Sequence, residues 1–158
     1  ILDRPRHAEL IAAVRKTGAG VRFITDGDVA GVIHTADAAN TGIDIYLGTG
    51  GAPEGVLAAA ALSCTGGQMQ GRLVTDSEEA KQRARRMGFL DFRKKLDKTD
   101  MAKGDVLFAA TGVTDGNLLS GVRFGRNGIT THTLVMRSSS GTVRWITALH
   151  QDPDKFDG

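Results

Sequence analysis

The sequence predicts a single α/β domain over residues 1–150, with a mainly parallel sheet flanked by helices and a C-terminal antiparallel β portion. Strand-like and helix-like runs alternate three times before residue 66, as in a parallel sheet covered by helices. Each strand-like run is followed by a polar or glycine-rich loop. After residue 105 the character changes to β-rich runs separated by turn sequences, which is typical of antiparallel strands.

Three strand–loop–helix units account for the first part of the chain. The predicted helices have apolar residues on one side and end close to glycines. The predicted strands cover 1–3, 21–25 and 43–47, and the helices that follow them cover 5–16, 29–36 and 56–62.

The second part begins with a possible fourth strand over 69–74 and a helix that starts near Ser77 and ends before Gly88. Residues 99–104 are predicted to form a loop, and residues 151–158 a polar tail. The remaining predicted strands cover 105–110, 119–124, 129–137 and 142–149.

Composition narrows the classes of function. The net charge of +2 is too small to indicate nucleic-acid binding, and no apolar run is long enough to span a membrane. The single cysteine, Cys64, excludes an internal disulfide, so we expect a cytoplasmic protein. Cys64 and Trp145 are both expected to pack in the core. The sequence opens at Ile1, without an initiator methionine and inside a predicted strand, so we expect a fragment of a longer protein.

The strongest local signal is the segment Gly48–Gly55, in which four of eight residues are glycine. It joins a predicted strand to a predicted helix, and Pro53 suits the first helical position. The free N–H groups of such a helix start favour an anion, usually a phosphate. Glu54 lies in the same turn, where a carboxylate either complements the helix dipole or holds a divalent cation beside a bound phosphate.

Two further polar loops are expected on the same sheet edge, because ligands of parallel sheets bind outside the carboxyl ends of the strands. One loop carries Arg4 and Arg6, which suit bidentate phosphate binding. The other carries Asp26 and Asp28, which suit sugar hydroxyls or a metal. Taken singly, the arginines could be surface charges and Asp28 a helix N-cap. A dinucleotide-binding fingerprint is disfavoured, because Pro53 occupies the position of its third glycine.

These residues resemble the class II fructose-1,6-bisphosphatases, a bacterial family that includes dual fructose-1,6-/sedoheptulose-1,7-bisphosphatases. The resemblance extends over nearly the whole chain and rests on six motifs in order. They are Leu2-Asp3-Arg4-Pro5-Arg6-His7, Thr25-Asp26-Gly27-Asp28-Val29, Gly50-Gly51-Ala52-Pro53-Glu54-Gly55-Val56, Gly67-x-x-Gln70-Gly71-Arg72-Leu73, residues 110–116 and residues 130–138.

The resemblance implies a layered α/β sandwich like that of the sugar and inositol phosphatases, of which this chain would be the C-terminal half. It implies metal-dependent hydrolysis of the 1-phosphate of fructose 1,6-bisphosphate with Mn²⁺ or Mg²⁺, in gluconeogenesis or carbon fixation, by a homo-oligomer such as a dimer or tetramer. Glu54 corresponds to a metal ligand. The positions that correspond to substrate contacts are Arg4, Pro5, Arg6, Asp26, Gly27, Asp28 and Gly51.

The family's other metal-binding carboxylates lie in an N-terminal half that this sequence does not contain. One carboxylate ligand cannot assemble a site that activates water, so we expect this chain alone to be inactive and assign no catalytic residue to it. The alternative is a non-catalytic module that binds phosphorylated sugars. For Thr111, Asp115 and His132 we expect roles in the fold or in subunit contacts.

Overall fold

Helices form most of the regular structure in the first two thirds of the chain. A computed structural model describes residues 1–152, so most of the predicted polar tail, residues 153–158, lies outside the described residues. Short 3₁₀ turns at Pro5–His7 and Thr35–Asp37 adjoin helices. The helices are α1 (Ala8–Lys16), α2 (Asp28–His34), α3 (Ala38–Thr41), α4 (Ala52–Thr65), α5 (Glu78–Arg86) and α6 (Lys98–Met101). Within this part of the chain, no helix is long and apolar enough to cross a lipid bilayer.

The ends of α4 and α5 follow from their capping residues. Pro53 lies in the first turn of α4, and Gly66 ends that helix in the left-handed conformation at φ 82°. Lys98 Nζ donates to the carbonyl oxygen of Gly67 at 2.7 Å, just beyond the helix C-terminus. The Ser77 hydroxyl accepts from the N–H of Ala80 at 3.1 Å, as an N-cap should. The predicted helix start near Ser77 is confirmed, whereas α4 extends beyond the predicted range 56–62 at both ends.

The C-terminal part is an antiparallel sheet centred on its longest strand. Its strands are β3 (Leu107–Thr111), β4 (Arg123–Gly125), β5 (Gly128–Arg137) and β6 (Thr142–His150). β6 pairs with β5 along the full length of β5, from Ile129↔His150 to Arg137↔Thr142. β3 and β4 must therefore share the opposite edge of β5, where they pair with its two ends. This antiparallel prediction is confirmed, although the predicted strand 119–124 is reduced to β4.

The core lies between α4 and this sheet. Ala61 and Cys64 of α4 pack in one cluster with Phe108, Leu134 and Met136 of the sheet. The small residues of α4 allow the helix to approach closely, and burial of the large sheet residues stabilises the contact by roughly 1.5–3 kcal/mol each. Trp145 is 61% exposed, so its predicted core position is wrong. Trp145 lies on β6, which is an edge strand of the sheet. The pattern of apolar residues in the sequence does not show which strand lies at an edge.

The expected parallel sheet is not what the structure shows. The one parallel contact among residues 1–152 is a bridge between Leu2 and Ile24, in which Asp3 N–H donates to the Ile24 carbonyl at 2.9 Å. Residues 43–47 form no strand, and Ile45 is 65% exposed. A strand is defined by the hydrogen bonds of a neighbour, and apolar alternation in one segment does not supply that neighbour.

Two further predictions are corrected at shorter range. The predicted fourth strand shrinks to β1 (Gln70–Gly71), which pairs antiparallel with β2 (Leu96–Asp97). The predicted loop 99–104 instead begins inside α6. The Asp97 carboxylate accepts from the N–H groups of Thr99 and Asp100, and Asp100 accepts in return from the N–H of Asp97 at 3.1 Å. This reciprocal capping box nucleates a helical turn that the sequence pattern alone did not reveal.

Candidate functional site

The three polar loops predicted from the sequence come together around the glycine loop, which we define as residues 48–51. Arg6 Nε donates to the carbonyl oxygen of Thr49 at 2.9 Å. Asp28 lies beside the same loop, since a Cβ built on Gly50 would be 2.9 Å from Asp28 Oδ2. Arg4 donates to the Thr25 carbonyl at 2.5 Å and so links the first loop to the second. The three polar loops therefore lie close together, although residues 1–152 contain no parallel sheet.

The glycine loop leads directly into α4. Gly51 is the N-cap of α4 at φ −69° and ψ 145°, which any residue can adopt, so its glycine is required by space and not by conformation. A Cβ at Gly51 would lie 2.1 Å from Glu54 Oε2. The Glu54 carboxylate therefore folds back over the Cα of Gly51 at the start of the helix. The first-turn N–H groups and a carboxylate are presented side by side, as expected for a phosphate paired with a cation.

A cavity of about 730 Å³ opens beside the glycine loop, and we call it the glycine-loop cavity. Asp28, Gly51 and Glu54 line it on the side of the loop. Arg72 and Lys95 also line it and add two positive charges to these carboxylates. The volume lies in the range of small-molecule sites, and the mixed charge suits a ligand that carries both phosphate and hydroxyl groups.

Tyr46 reports the electrostatics of this cavity, which it also lines. Burial raises the pKa of the Tyr46 phenol above its ordinary value, and the negative charge of Asp28 raises it further. The positive charge of Arg6 acts on the same pKa in the opposite direction. Asp28 and Arg6 are therefore both close enough to act on a single group in the cavity.

The structure treats the predicted site residues unequally. Asp28, Gly51 and Glu54 share the glycine-loop cavity, whereas Arg4 and Arg6 bond to backbone carbonyls next to it. Gly27 adopts a left-handed conformation at φ 77° directly before α2, which explains a glycine between two aspartates. Pro5 starts a 3₁₀ turn and helps to place the two arginines that flank it.

Sequence reasoning missed Tyr46, Arg72 and Lys95 as cavity residues. Arg72 belongs to one of the quoted motifs, so its position was visible but its role was not. Lys95 lies in a basic segment that reads as solvated surface, and no local signal separates it from its neighbours. Tyr46 is the single tyrosine of the chain and lies two residues before the glycine loop, which is a signal that the sequence offers.

The carboxylates of residues 1–152 do not by themselves fit a complete metal site. Across residues 1–152, no group of three or more His, Cys, Asp or Glu side chains is arranged to hold a metal ion. Asp28, Asp44 and Glu54 are the carboxylates that line the glycine-loop cavity. Hard divalent cations prefer six or more oxygen ligands, so further donors must come from water, substrate or other protein segments.

The three polar residues of the C-terminal motifs make contacts within the sheet. Thr111 and Thr133 hydroxyls lie 2.9 Å apart on paired strands. Asp115 accepts two bonds from Arg123 at 2.7 Å each and one from the N–H of Gly121 at 2.9 Å. These contacts hold the pKa of Asp115 below its usual value, with the bonds from Arg123 as the main cause. His132 Nδ1 lies 3.2 Å from the Thr147 hydroxyl. These hydrogen bonds join segments of the C-terminal β region, and roles in the fold or in subunit contacts stay predictions for the three residues.

The described part of the chain is thus an α/β protein in which the glycine loop and the start of α4 adjoin a cavity of mixed charge. The family model described as bacterial fructose-1,6-bisphosphatase, glpX-encoded, matches residues 1–150. The chain belongs to this family, and the resemblance inferred from the six motifs is confirmed.

Curated relatives from cyanobacteria agree with the family model. Proteins of Synechococcus sp. strain JA-3-3Ab and strain JA-2-3B'a(2-13) are each 43% identical over 95% of this chain. A protein of Synechococcus elongatus (strain ATCC 33912 / PCC 7942 / FACHB-805) is 42% identical over 98% of it. All three are named D-fructose 1,6-bisphosphatase class 2/sedoheptulose 1,7-bisphosphatase. The chain spans about half the length of these relatives, 47–48%.

Proposed function

We propose that the full-length polypeptide carrying this sequence hydrolyses the 1-phosphate of fructose 1,6-bisphosphate, with sedoheptulose 1,7-bisphosphate as a second substrate. The observation that carries the proposal is the match of residues 1–150 to the bisphosphatase family, together with the names of the relatives. The geometry supports it, because an anion-ready helix start, three carboxylates and two cations line one cavity of about 730 Å³.

Within this activity, the residues of this chain bind and orient the substrate. The N–H groups at the start of α4 are proposed to meet a phosphate, and Asp28 to accept hydrogen bonds from sugar hydroxyls. Arg6 uses its Nε to donate to the glycine loop. The terminal N–H groups of its guanidinium are therefore proposed to bind a second phosphate through two parallel hydrogen bonds. Arg4, Pro5, Asp26 and Gly27 are proposed to complete the substrate contacts.

Metal ions enter the proposal through Glu54. Mn²⁺ or Mg²⁺ would polarise the phosphoryl group and supply an activated water. Glu54 would provide one ligand, and the remaining ligands would come from the half of the family polypeptide to which this chain does not align. We therefore propose that residues 1–158 alone do not hydrolyse the substrate. The whole protein is proposed to form the layered sandwich of the sugar and inositol phosphatases.

The test measures phosphate release from fructose 1,6-bisphosphate with Mn²⁺, comparing residues 1–158 with the full-length polypeptide. We expect activity in the full-length protein alone. Activity of residues 1–158 on addition of Mn²⁺ would refute the division of the site between two halves. Lack of activity in both would refute the enzyme assignment.

The second candidate function is a non-catalytic module that binds phosphorylated sugars. One observation favours this function. Residues 1–152 contain a cavity suited to a phosphorylated sugar, but no group of three or more side chains among them is arranged to hold a metal ion. Titration with fructose 1,6-bisphosphate distinguishes the two functions: saturable binding without hydrolysis by the full-length protein would favour the module. The cytoplasmic location, the pathway and the dimeric or tetrameric state stay predictions.

A further inference from the structure

His7 is the buried polar side chain of the described core, with 1% of its surface exposed. It directly follows Arg6 in the first polar loop, yet the site as described above makes no use of it. Both ring nitrogens have close partners. Nδ1 lies 2.9 Å from the carbonyl oxygen of Leu2, and Nε2 lies 2.9 Å from the backbone nitrogen of Thr49.

These two contacts determine the tautomer of His7. A backbone N–H can only donate, so Nε2 must be the unprotonated acceptor of the Thr49 bond. A backbone carbonyl can only accept, so Nδ1 must carry the proton that bonds to Leu2. Both bonds exist together only in the neutral ring protonated at Nδ1. Protonation of Nε2 would remove the acceptor that faces Thr49.

Thr49 is thereby held from both sides of its backbone. His7 accepts from its N–H, and Arg6 Nε donates to its carbonyl oxygen at 2.9 Å. The imidazole also packs against the loop, since a Cβ built on Gly48 would lie 3.4 Å from His7 Cε1. The glycines around Thr49 give the loop high intrinsic freedom, so an external restraint is needed to fix one conformation.

We propose that His7, as the neutral Nδ1–H tautomer, is a positioning residue that fixes the glycine loop in its ligand-binding conformation and so sets the affinity for the sugar bisphosphate. This inference rests on the proposed function for its kinetic readout. His7 is not among the residues that line the glycine-loop cavity. It acts through Thr49, whose backbone connects to Gly50 and Gly51 at the start of α4, and a loop fixed in advance does not have to be ordered on binding.

Two substitutions separate positioning from mere filling of the core. Gln places its amide oxygen at the distance of Nε2 and can still accept from Thr49, whereas Asn reaches only the Nδ1 position and keeps the Leu2 contact. In the full-length protein we expect His7→Asn to raise KM for fructose 1,6-bisphosphate about tenfold, equivalent to ~1.4 kcal/mol, with little change in kcat. We expect His7→Gln to restore KM to within roughly threefold of the unaltered value. Equal KM values for the two variants, or no rise with His7→Asn, would overturn the proposal.

A second measurement does not depend on activity or on folding of a variant. Long-range ¹H–¹⁵N correlation spectra of the unaltered protein, labelled with ¹⁵N-histidine, distinguish the two neutral tautomers of His7. An Nδ1–H pattern supports the inference, and an Nε2–H pattern overturns it. If the unaltered protein releases no phosphate, the proposed function fails, while the NMR result still decides the state of His7.

Discussion

Replacing Gly51 by alanine tests whether the glycine loop and Glu54 form one functional unit. The new Cβ would lie 2.1 Å from Glu54 Oε2, and an ordinary contact begins at 3.4 Å, so the carboxylate must move by roughly 1 Å. Since Oε2 is the far end of a flexible side chain, the clash is relieved by rotation of Glu54 and not by the backbone. The φ and ψ of Gly51 are accessible to alanine, so the helix start should lose only about 0.5–1 kcal/mol.

A displacement of this size at a reacting centre is sufficient to lower kcat/KM by roughly a hundredfold. We therefore expect Gly51→Ala in the full-length protein to lose most of its phosphate release from fructose 1,6-bisphosphate while its thermal unfolding shifts by only a few degrees. Gly20→Ala is the matched control, because a Cβ there has no atom within 4 Å and the position lies outside the glycine-loop cavity. It should leave activity unchanged.

A double substitution decides whether Gly51 acts through Glu54. If it does, adding Gly51→Ala to Glu54→Gln should cause little further loss, because the carboxylate is already removed. Independent, additive losses would refute this reasoning. Full activity of Gly51→Ala would refute it equally, since the carboxylate would then not need the position seen in the structure.

Three further predictions concern the stability and chemistry of the C-terminal sheet and its core. Gly112→Ala should lower the free energy of unfolding by roughly 1–3 kcal/mol in urea titrations, because its Cβ would lie 2.1 Å from a backbone carbonyl oxygen. Gly116→Ala is the control and should be nearly neutral, because its Cβ would lie 3.7 Å from the nearest atom. Similar losses of stability for both variants would contradict the clash. Hydrogen bonds from Arg137 are the main cause that holds the pKa of Asp105 well below its usual range, so the contribution of Asp105 to stability is present above about pH 4 and is lost as the pH falls further. Asp105→Asn should therefore reduce the fall of the unfolding temperature below about pH 4. An unchanged fall of the unfolding temperature in this variant would rule out Asp105 as its source. Cys64 is 4% exposed, and burial raises the pKa of its thiol. Cys64 should therefore react with a thiol reagent only when the protein unfolds. Rapid labelling of the native protein would contradict this and show that the core between α4 and the sheet opens.

The candidate site was predictable from sequence to the extent that its determinants are local. Pro53 and the glycines before it identify a helix start from backbone conformation alone, and the structure places α4 there. The proximity of Asp28 to that loop was also expected, but for a reason that the described chain does not show. Both segments were assigned to the edge of a parallel sheet, whereas the observed link is a set of contacts from Arg6 and Asp28 to the loop itself.

By itself, the sequence determined helices α1, α2, α4 and α5, the caps of α4 and α5, the antiparallel hairpin of β5 and β6, and the family. These features depend on periodicity, on turn residues and on motifs that are close together along the chain. Only the tertiary structure decided that residues 43–47 lack a strand partner, that Trp145 is exposed, that Arg72 and Lys95 line the glycine-loop cavity, and that His7 restrains Thr49. Each of these depends on which distant segment lies opposite a given residue. Periodicity reports which side of an element is apolar and contains no information on the identity of its neighbour.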